Sequence, residues 1–383
     1  MDRSMTLCYL KYIVFGFVSF YISWAQSKVK IGIFDNAKSS KIVAKSCKII
    51  VDSSHTIMLN DSVTLNFSVE NNKIKLTIEH GNTYRGNHFT LINEKDERPF
   101  NLFCKGRTRY YPSDLFFSIE GKSFNVIQIT DVDTYLEGVL QAEMGHKLSL
   151  NSYKAQAIIS RTYVYANMQR HESQGYNICN EQHCQVYVGT DSVPNTVKKA
   201  IETTTKMVLK EPSGKLVNTV FHANCGGYTA NSEDIWISRN TCLRGKKDPY
   251  CSKGKAFKWY KEVSLATFLE LLKPYSKSGQ ITTSKDETIK VASTSRKKTF
   301  TWKDVSISYE TLRSKLGVRT GIFSILQKGD KIAVEGRGFG HGVGLCQEGA
   351  IEMGKRGMSY KKILSHYYQG SRISEDKMEN LEH

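Results

Sequence analysis

A change of hydrophobic period near residue 130 constrains this fold more than any other feature of the chain. Before it, apolar and polar residues alternate: Val29, Ile31 and Ile33; Val63, Leu65 and Phe67; Ile74, Leu76 and Ile78, with Ile49-Ile50-Val51 as a short continuous run. Alternation puts every second side chain on one face, the pattern of half-buried strands, and the Asn, Asp and Gly clusters between the runs supply turns. An antiparallel β region is therefore expected from Lys28 to about Ile129. After it, Val132, Tyr135, Leu136, Val139 and Leu140 recur at helical spacing and form one stripe of an α-helix. Gly145 suits the C-terminal turn of that helix.

A second helix is expected from Asn151 to about Arg170, with Lys154, Arg161 and Tyr165 close to one face, and a third from Pro194 to Lys206. Met207-Val208-Leu209 and Leu216 to Phe221 have the pattern of a hairpin around Glu211-Pro212-Ser213-Gly214. Ser264 to Leu272 forms a short helix, and the last 60 residues hold a strand (Lys331 to Glu335), a glycine-rich loop and two helices. The fold class is α+β, a β-rich N-terminal region followed by a mixed core with central helices.

The first 25 residues stand apart: Arg3 and Lys11, an apolar run from Tyr12 to Ile22, then Ser23-Trp24-Ala25. That is how a secretory signal peptide is built, with Gln26 as the first mature residue; an uncleaved membrane anchor is the alternative. Either places the body of the protein in the periplasm or outside the cell. Of nine cysteines, Cys8 falls in this leader and eight remain where disulfides are permitted. The net charge of +17 suits an anionic partner, or else a solvated basic surface. Export argues against nucleic acid and leaves an acidic polymer or a membrane surface.

Five segments carry a more specific signal. They are Asp133-Thr134-Tyr135-Leu136-Glu137-Gly138-Val139-Leu140-Gln141-Ala142-Glu143-Met144, Lys154-Ala155-Gln156-Ala157 with Ser160-Arg161-Thr162-Tyr163, and Phe221-His222-Ala223-Asn224-Cys225-Gly226-Gly227-Tyr228-Thr229 with Glu233 and Trp236. The fourth runs from Gly336-Arg337-Gly338-Phe339-Gly340-His341-Gly342 to Gln347-Glu348-Gly349-Ala350, and the fifth from Tyr360 to His366-Tyr367-Tyr368-Gln369-Gly370. In this order they resemble the SpoIID/LytB family of bacterial cell-wall proteins. The resemblance covers roughly residues 115 to 372. It divides the chain into a signal peptide (1–25), a β-rich region (26–114), a SpoIID/LytB-like domain (115–372) and a tail (373–383). Gly145 stands where the family has a proline, which would loosen the turn after Glu143, and Cys346 stands where serine is common.

The resemblance implies an exported protein acting on peptidoglycan glycan strands. In members that cleave glycan, the position of Glu143 is the catalytic carboxylate of a lytic transglycosylase, able to give a proton to the glycosidic oxygen and later accept one. Other members are amidase enhancers, which stimulate an N-acetylmuramoyl-L-alanine amidase without cleaving glycan. Lys154 and Arg161 match basic positions of the family, as substrate ligands, as partners of Glu143, or as plain exposed basic residues. His341 would bond substrate or order its loop, and Gln347 would bond sugar hydroxyls or act structurally. Glycine at every second residue from Gly336 to Gly344 suits a loop lining a glycan groove. A dinucleotide fingerprint is excluded there because no second strand ending in Asp or Glu follows at the required offset.

His171, Cys179, His183 and Cys184 are the candidate ligands of a structural zinc, since Cys and His are the ligands zinc prefers. Some members of the family carry a Cys/His cluster in this region. The spacing is not that of a zinc ribbon, and a Cys179–Cys184 disulfide is the alternative. Cys242 with Cys251 and Cys225 with Cys346 are further pairings the sequence allows.

Overall fold

The computed structural model describes residues 28–93, 98–190, 192–236, 238–281, 289–291 and 298–375. The expected leader lies outside the described residues. Its β region is two sheets face to face. The first is seven-stranded, in the order Ile178–Cys179, Lys28–Ala37, Ser123–Asp131, Asp114–Glu120, His88–Ile92, Cys47–Val51 and His55–Leu59. The second has six strands: Arg107–Tyr111, Phe100–Cys104, Ser39–Ala44, Val63–Glu70, Lys73–Ile78 and Thr83–Gly86. All neighbours are antiparallel except Ile178–Cys179, which lies parallel to Lys28–Ala37. The alternating residues Val29, Ile31, Leu65, Phe67, Ile74 and Leu76 fill the core between the sheets. Phe67 stacks on Phe117 of the facing sheet at 4.3 Å between ring centroids. The division expected between residues 114 and 115 falls inside the first sheet, where Asp114–Glu120 pairs with His88–Ile92 on one side and Ser123–Asp131 on the other.

Helix α1 (Val132–Met144) starts directly from the strand Ser123–Asp131, and Asp131 caps it by accepting the Thr134 N–H at 2.8 Å. Helix α2 (Leu150–Ala166) is capped by Ser149 and stops short of Arg170, where the Asn167 N–H tightens onto Val164 O. Helix α3 (Asn195–Glu202) also ends early. The Thr203 and Thr204 hydroxyls donate to the Lys199 and Ala200 carbonyls at its end, and the chain turns into the strand Met207–Lys210. Short helix α4 (Ser232–Ile235) follows.

The expected hairpin after residue 206 is only begun, by a single bridge between Lys210 and Leu216. Met207–Lys210 pairs instead with Arg372–Glu375, and Phe221–His222 lies parallel to Leu345–Cys346. Long-range partners outcompete the local turn. A second core surrounds these contacts, built from α2, α7 (Gln347–Lys355) and α8 (Tyr360–Tyr367). A third core packs α5 (Leu265–Leu272) and α6 (Tyr309–Leu316) with a sheet that includes Lys258–Ser264, Phe323–Lys328 and Lys331–Arg337. No helix among the described residues is long and apolar enough to cross a membrane.

Candidate functional site

Glu143 lies in the last turn of α1, and the burial of Tyr135, Leu136, Val139 and Leu140 fixes the rotation of that helix. Gly145 closes the helix at φ +75°, its N–H on Gln141 O at 3.0 Å and its carbonyl accepting from the Tyr153 hydroxyl at 2.8 Å. Proline has φ fixed near −65° and no N–H, so it cannot make this turn. The turn after Glu143 is thus a different closure, held at both ends, and not a loosened one.

The Glu143 carboxylate accepts the Val186 N–H at 2.7 Å. Gln347 donates its side-chain amide to the Glu143 main-chain oxygen at 3.3 Å. Burial pushes the Glu143 pKa above the ordinary carboxylate range, and the hydrogen bonds from Val186 and Gln347 only partly offset this. Among the described residues no cation pairs with it. A carboxyl that holds its proton to higher pH suits a proton donor.

The loop that presents Val186 carries a cluster of Cys and His side chains two residues earlier. His171, Cys179, His183 and Cys184 bring their ligand atoms within 4.8 Å of one another. Cys184 Sγ lies 3.4 Å from His171 Nε2 and 3.7 Å from His183 Nδ1, and Cys179 Sγ lies 3.8 Å from that same Nδ1. With Zn–S about 2.3 Å and Zn–N about 2.0 Å, a tetrahedral site has edges of roughly 3.3–3.8 Å, so the donor set fits zinc. His171 Nδ1 points away to Gln174 Oε1 at 2.5 Å, which fixes the tautomer with Nε2 free to coordinate. His183 Nε2 lies 3.1 Å from Arg170 Nη2, a contact that must yield when Nδ1 coordinates and Nε2 carries the proton. Cys179 is pulled well below the usual thiol range, chiefly by the hydrogen bond from Cys184. None of the described cysteines forms a disulfide, so the Cys179–Cys184, Cys242–Cys251 and Cys225–Cys346 pairings are not made.

The family model described as Stage II sporulation protein matches residues 120–210, the span that holds both Glu143 and this cluster. An uncharacterized protein of Brachyspira hyodysenteriae (strain ATCC 49526 / WA1) is 30% identical over 296 residues, covering 73% of this chain and 76% of its own length. The chain belongs to the SpoIID/LytB family. Stage II sporulation protein D of Bacillus subtilis (strain 168) is 29% identical over 262 residues, 64% of this chain and 74% of that protein. The Amidase enhancer of the same strain is 27% identical over 370 residues, which span 82% of this chain and 50% of the relative.

The other family positions have different surroundings from those expected. Arg161 is buried, not exposed, and every contact it makes is internal. Its Nε and Nη2 donate to Asp133 at 3.0 and 2.7 Å, and its Nη1 to Thr204 O at 2.8 Å and Met207 O at 3.3 Å. It joins α2 to both α1 and the end of α3, the placement of a fold staple. Lys154 lies over the Tyr360 ring of α8 at 5.6 Å and makes no contact with Glu143 among the described residues. His341 donates from Nε2 to Phe221 O at 2.9 Å and accepts the Val343 N–H on Nδ1 at 3.1 Å. With both nitrogens on main chain it orders the loop. Gln347 is buried, with its amide on the Glu143 main-chain oxygen.

The alternating glycines also turn out to face protein. Gly338 lies against the backbone of Asn224, Cys225 and Gly226, and Gly344 against Val220 O, each at positive φ. They let two main chains approach; they do not open a groove. Gly344→Ala would place a methyl group into Val220 O at φ +72°, and is expected to cost about 2–4 kcal/mol, read as a lowered urea midpoint with unchanged slope.

The sequence reading missed a cleft of about 740 Å³ beside the turn that carries Glu143. Gln141 and Ala142 from α1, His146 just after it, and Arg107, Arg109 and Thr190 line it. The signal was present in Arg107-Thr108-Arg109-Tyr110-Tyr111, where two arginines and two tyrosines share one short strand.

Proposed function

We propose that this chain is an exported lytic transglycosylase of peptidoglycan, cutting the β-1,4 bond between N-acetylmuramic acid and N-acetylglucosamine with Glu143 as its acid and base. The observation that carries this reading is the Glu143 carboxyl itself. It is partly withdrawn from water, protonated to higher pH by burial, and oriented by Val186 and Gln347 without a competing cation. Glu143 gives its proton to the glycosidic oxygen as the C1–O bond breaks. The resulting carboxylate then takes the proton of the muramic 6-hydroxyl while O6 bonds to C1, so an anhydro end forms and no water is consumed. The cleft beside it, with Arg107 and Arg109, suits the lactyl carboxylates of strands stripped of stem peptides. The test is mass spectrometry of denuded glycan incubated with the mature protein. Anhydromuramic products support the reading; a folded protein that binds glycan and yields none overturns it.

A second reading is favoured by the likeness to the Amidase enhancer, which extends over most of the chain. In it the cleft binds glycan and the protein stimulates a partner amidase. Stem-peptide release by an added amidase, raised by this chain and unaltered by Glu143→Gln, would select it.

His171, Cys179, His183 and Cys184 would hold a zinc ion of structural type, tying the loop on which Val186 meets Glu143. Cys184→Ser is expected to lose that ion and to lower the cleavage rate about 10- to 100-fold by releasing the Val186 N–H. Metal analysis beside the glycan assay checks it, and full activity in metal-free protein would refute it.

A further inference from the structure

A second group of candidate ligands is drawn from other elements of the chain. Cys225, Asp248, Cys251 and Cys346 are all buried, and their ligand atoms lie within 4.8 Å of one another. Cys225 Sγ is 3.5 Å from Cys251 Sγ and 3.3 Å from Asp248 Oδ2. These are the edges of a tetrahedron around an ion with Zn–S about 2.3 Å and Zn–O about 2.0–2.2 Å. We propose that Cys225, Cys251, Cys346 and Asp248 form a second structural metal site, for a borderline-soft divalent ion of the zinc class.

Three features favour an ion over a disulfide. The thiols are three, so any bridge among them leaves one behind, whereas an ion uses them all. The Asp248 carboxylate is 1% exposed and has no cationic partner among the described residues, so it is a buried charge that an ion would neutralise. The outer shell is built as well: Tyr367 donates its hydroxyl to Asp248 Oδ2 at 3.0 Å, the Tyr250 N–H donates to Oδ1 at 2.9 Å, and the Cys225 N–H donates to Cys346 Sγ at 3.3 Å. Such donors orient ligands and spread the negative charge of a thiolate-rich site.

The site would join three segments distant in sequence: the turn after Phe221–His222, the short helical turn at Cys251–Lys253, and the start of α7. Cys346 precedes Gln347, whose amide meets Glu143, as Cys184 precedes Val186 by two residues. Val186 on the Glu143 carboxylate and Gln347 on its main-chain oxygen would then both hang from metal-tied loops. The metal content of the chain is independent of whether it acts on peptidoglycan.

The experiment measures zinc per chain in the purified mature protein, in His171→Ala/His183→Ala, and in Cys251→Ser, together with intact masses under non-reducing conditions. The expected result is about one ion retained by the His171→Ala/His183→Ala variant, and one ion fewer in Cys251→Ser than in the wild type. Should Cys251→Ser fail to fold, cobalt loading of the His171→Ala/His183→Ala variant replaces it, with a thiolate-to-cobalt charge-transfer band expected. A His171→Ala/His183→Ala variant without metal, a Cys251→Ser variant that keeps the full wild-type ion count, or a mass lighter by two hydrogens that maps to a bridge among Cys225, Cys251 and Cys346, overturns the site.

Discussion

Glu143→Gln is expected to lower anhydromuramic product release by about 100- to 10,000-fold, the usual contribution of a positioned general acid. Strand binding should be nearly unchanged, because the amide keeps an acceptor for the Val186 N–H and nearly the same volume. The pH dependence follows from the direction of the shift. Burial raises the folded pKa of Glu143, so the acid form needed for cleavage persists above the ordinary carboxylate range, and kcat/KM falls as pH rises through that raised value. Stability has a matching sign. The proton-bound form favours the fold fully below the unfolded pKa, and this contribution is lost as pH rises through the folded pKa. Glu143→Gln should therefore be more stable than the wild type at neutral pH, by about 1 kcal/mol, with the two converging in acid. Thermal melts at pH 4 and pH 8 measure it. Equal melting temperatures at both would mean that the carboxyl is not desolvated, and the assignment of acid would fail with it.

Much of this arrangement can be read from the chain, and the parts that cannot share a physical cause. The strands Lys28–Ala37 and Val63–Glu70 and the helix α1 follow from local period. Glu143 was legible through a motif and not through periodicity. Arg161 shows the limit. Helical spacing puts it near the face of Lys154, but whether that face meets water depends on Asp133 from α1 and the carbonyls after α3, which only the tertiary structure brings there. The candidate metal cluster was named from composition, while the geometry that brings its four residues together was not legible. His183 and Cys184 would point apart on an extended chain, yet a turn closed by the Cys184 N–H on Glu181 O aims both inward. The glycine spacing near residue 340 was plain, but its partner is a segment more than a hundred residues earlier. Local pattern sets elements; contacts across sequence set what each exposed or buried group does.

The same contacts make Asp133→Ala the most destabilising single change expected here. Arg161 is 1% exposed, and its charge is met by a carboxylate that also accepts the Thr205 hydroxyl at 2.7 Å. Removing Asp133 leaves a guanidinium in the core with two carbonyl partners and no counter-charge, a loss of about 3–5 kcal/mol. That is a large share of the 5–15 kcal/mol typical of a folded domain, so expression at 37 °C should fall sharply. Arg161→Met would strand the less buried partner, which can still reach water at 18% side-chain exposure, and should cost less. The double variant Asp133→Ala/Arg161→Met removes both charges and should recover most of the loss, because a well-packed apolar pair often equals a buried ion pair. A double-mutant cycle in urea therefore separates the fold-staple role seen in the structure from the substrate role expected from the sequence. Strong coupling, with glycan binding intact in the double variant, is the signature of a fold staple. Additive effects on stability, with glycan binding lost, would return Arg161 to the substrate.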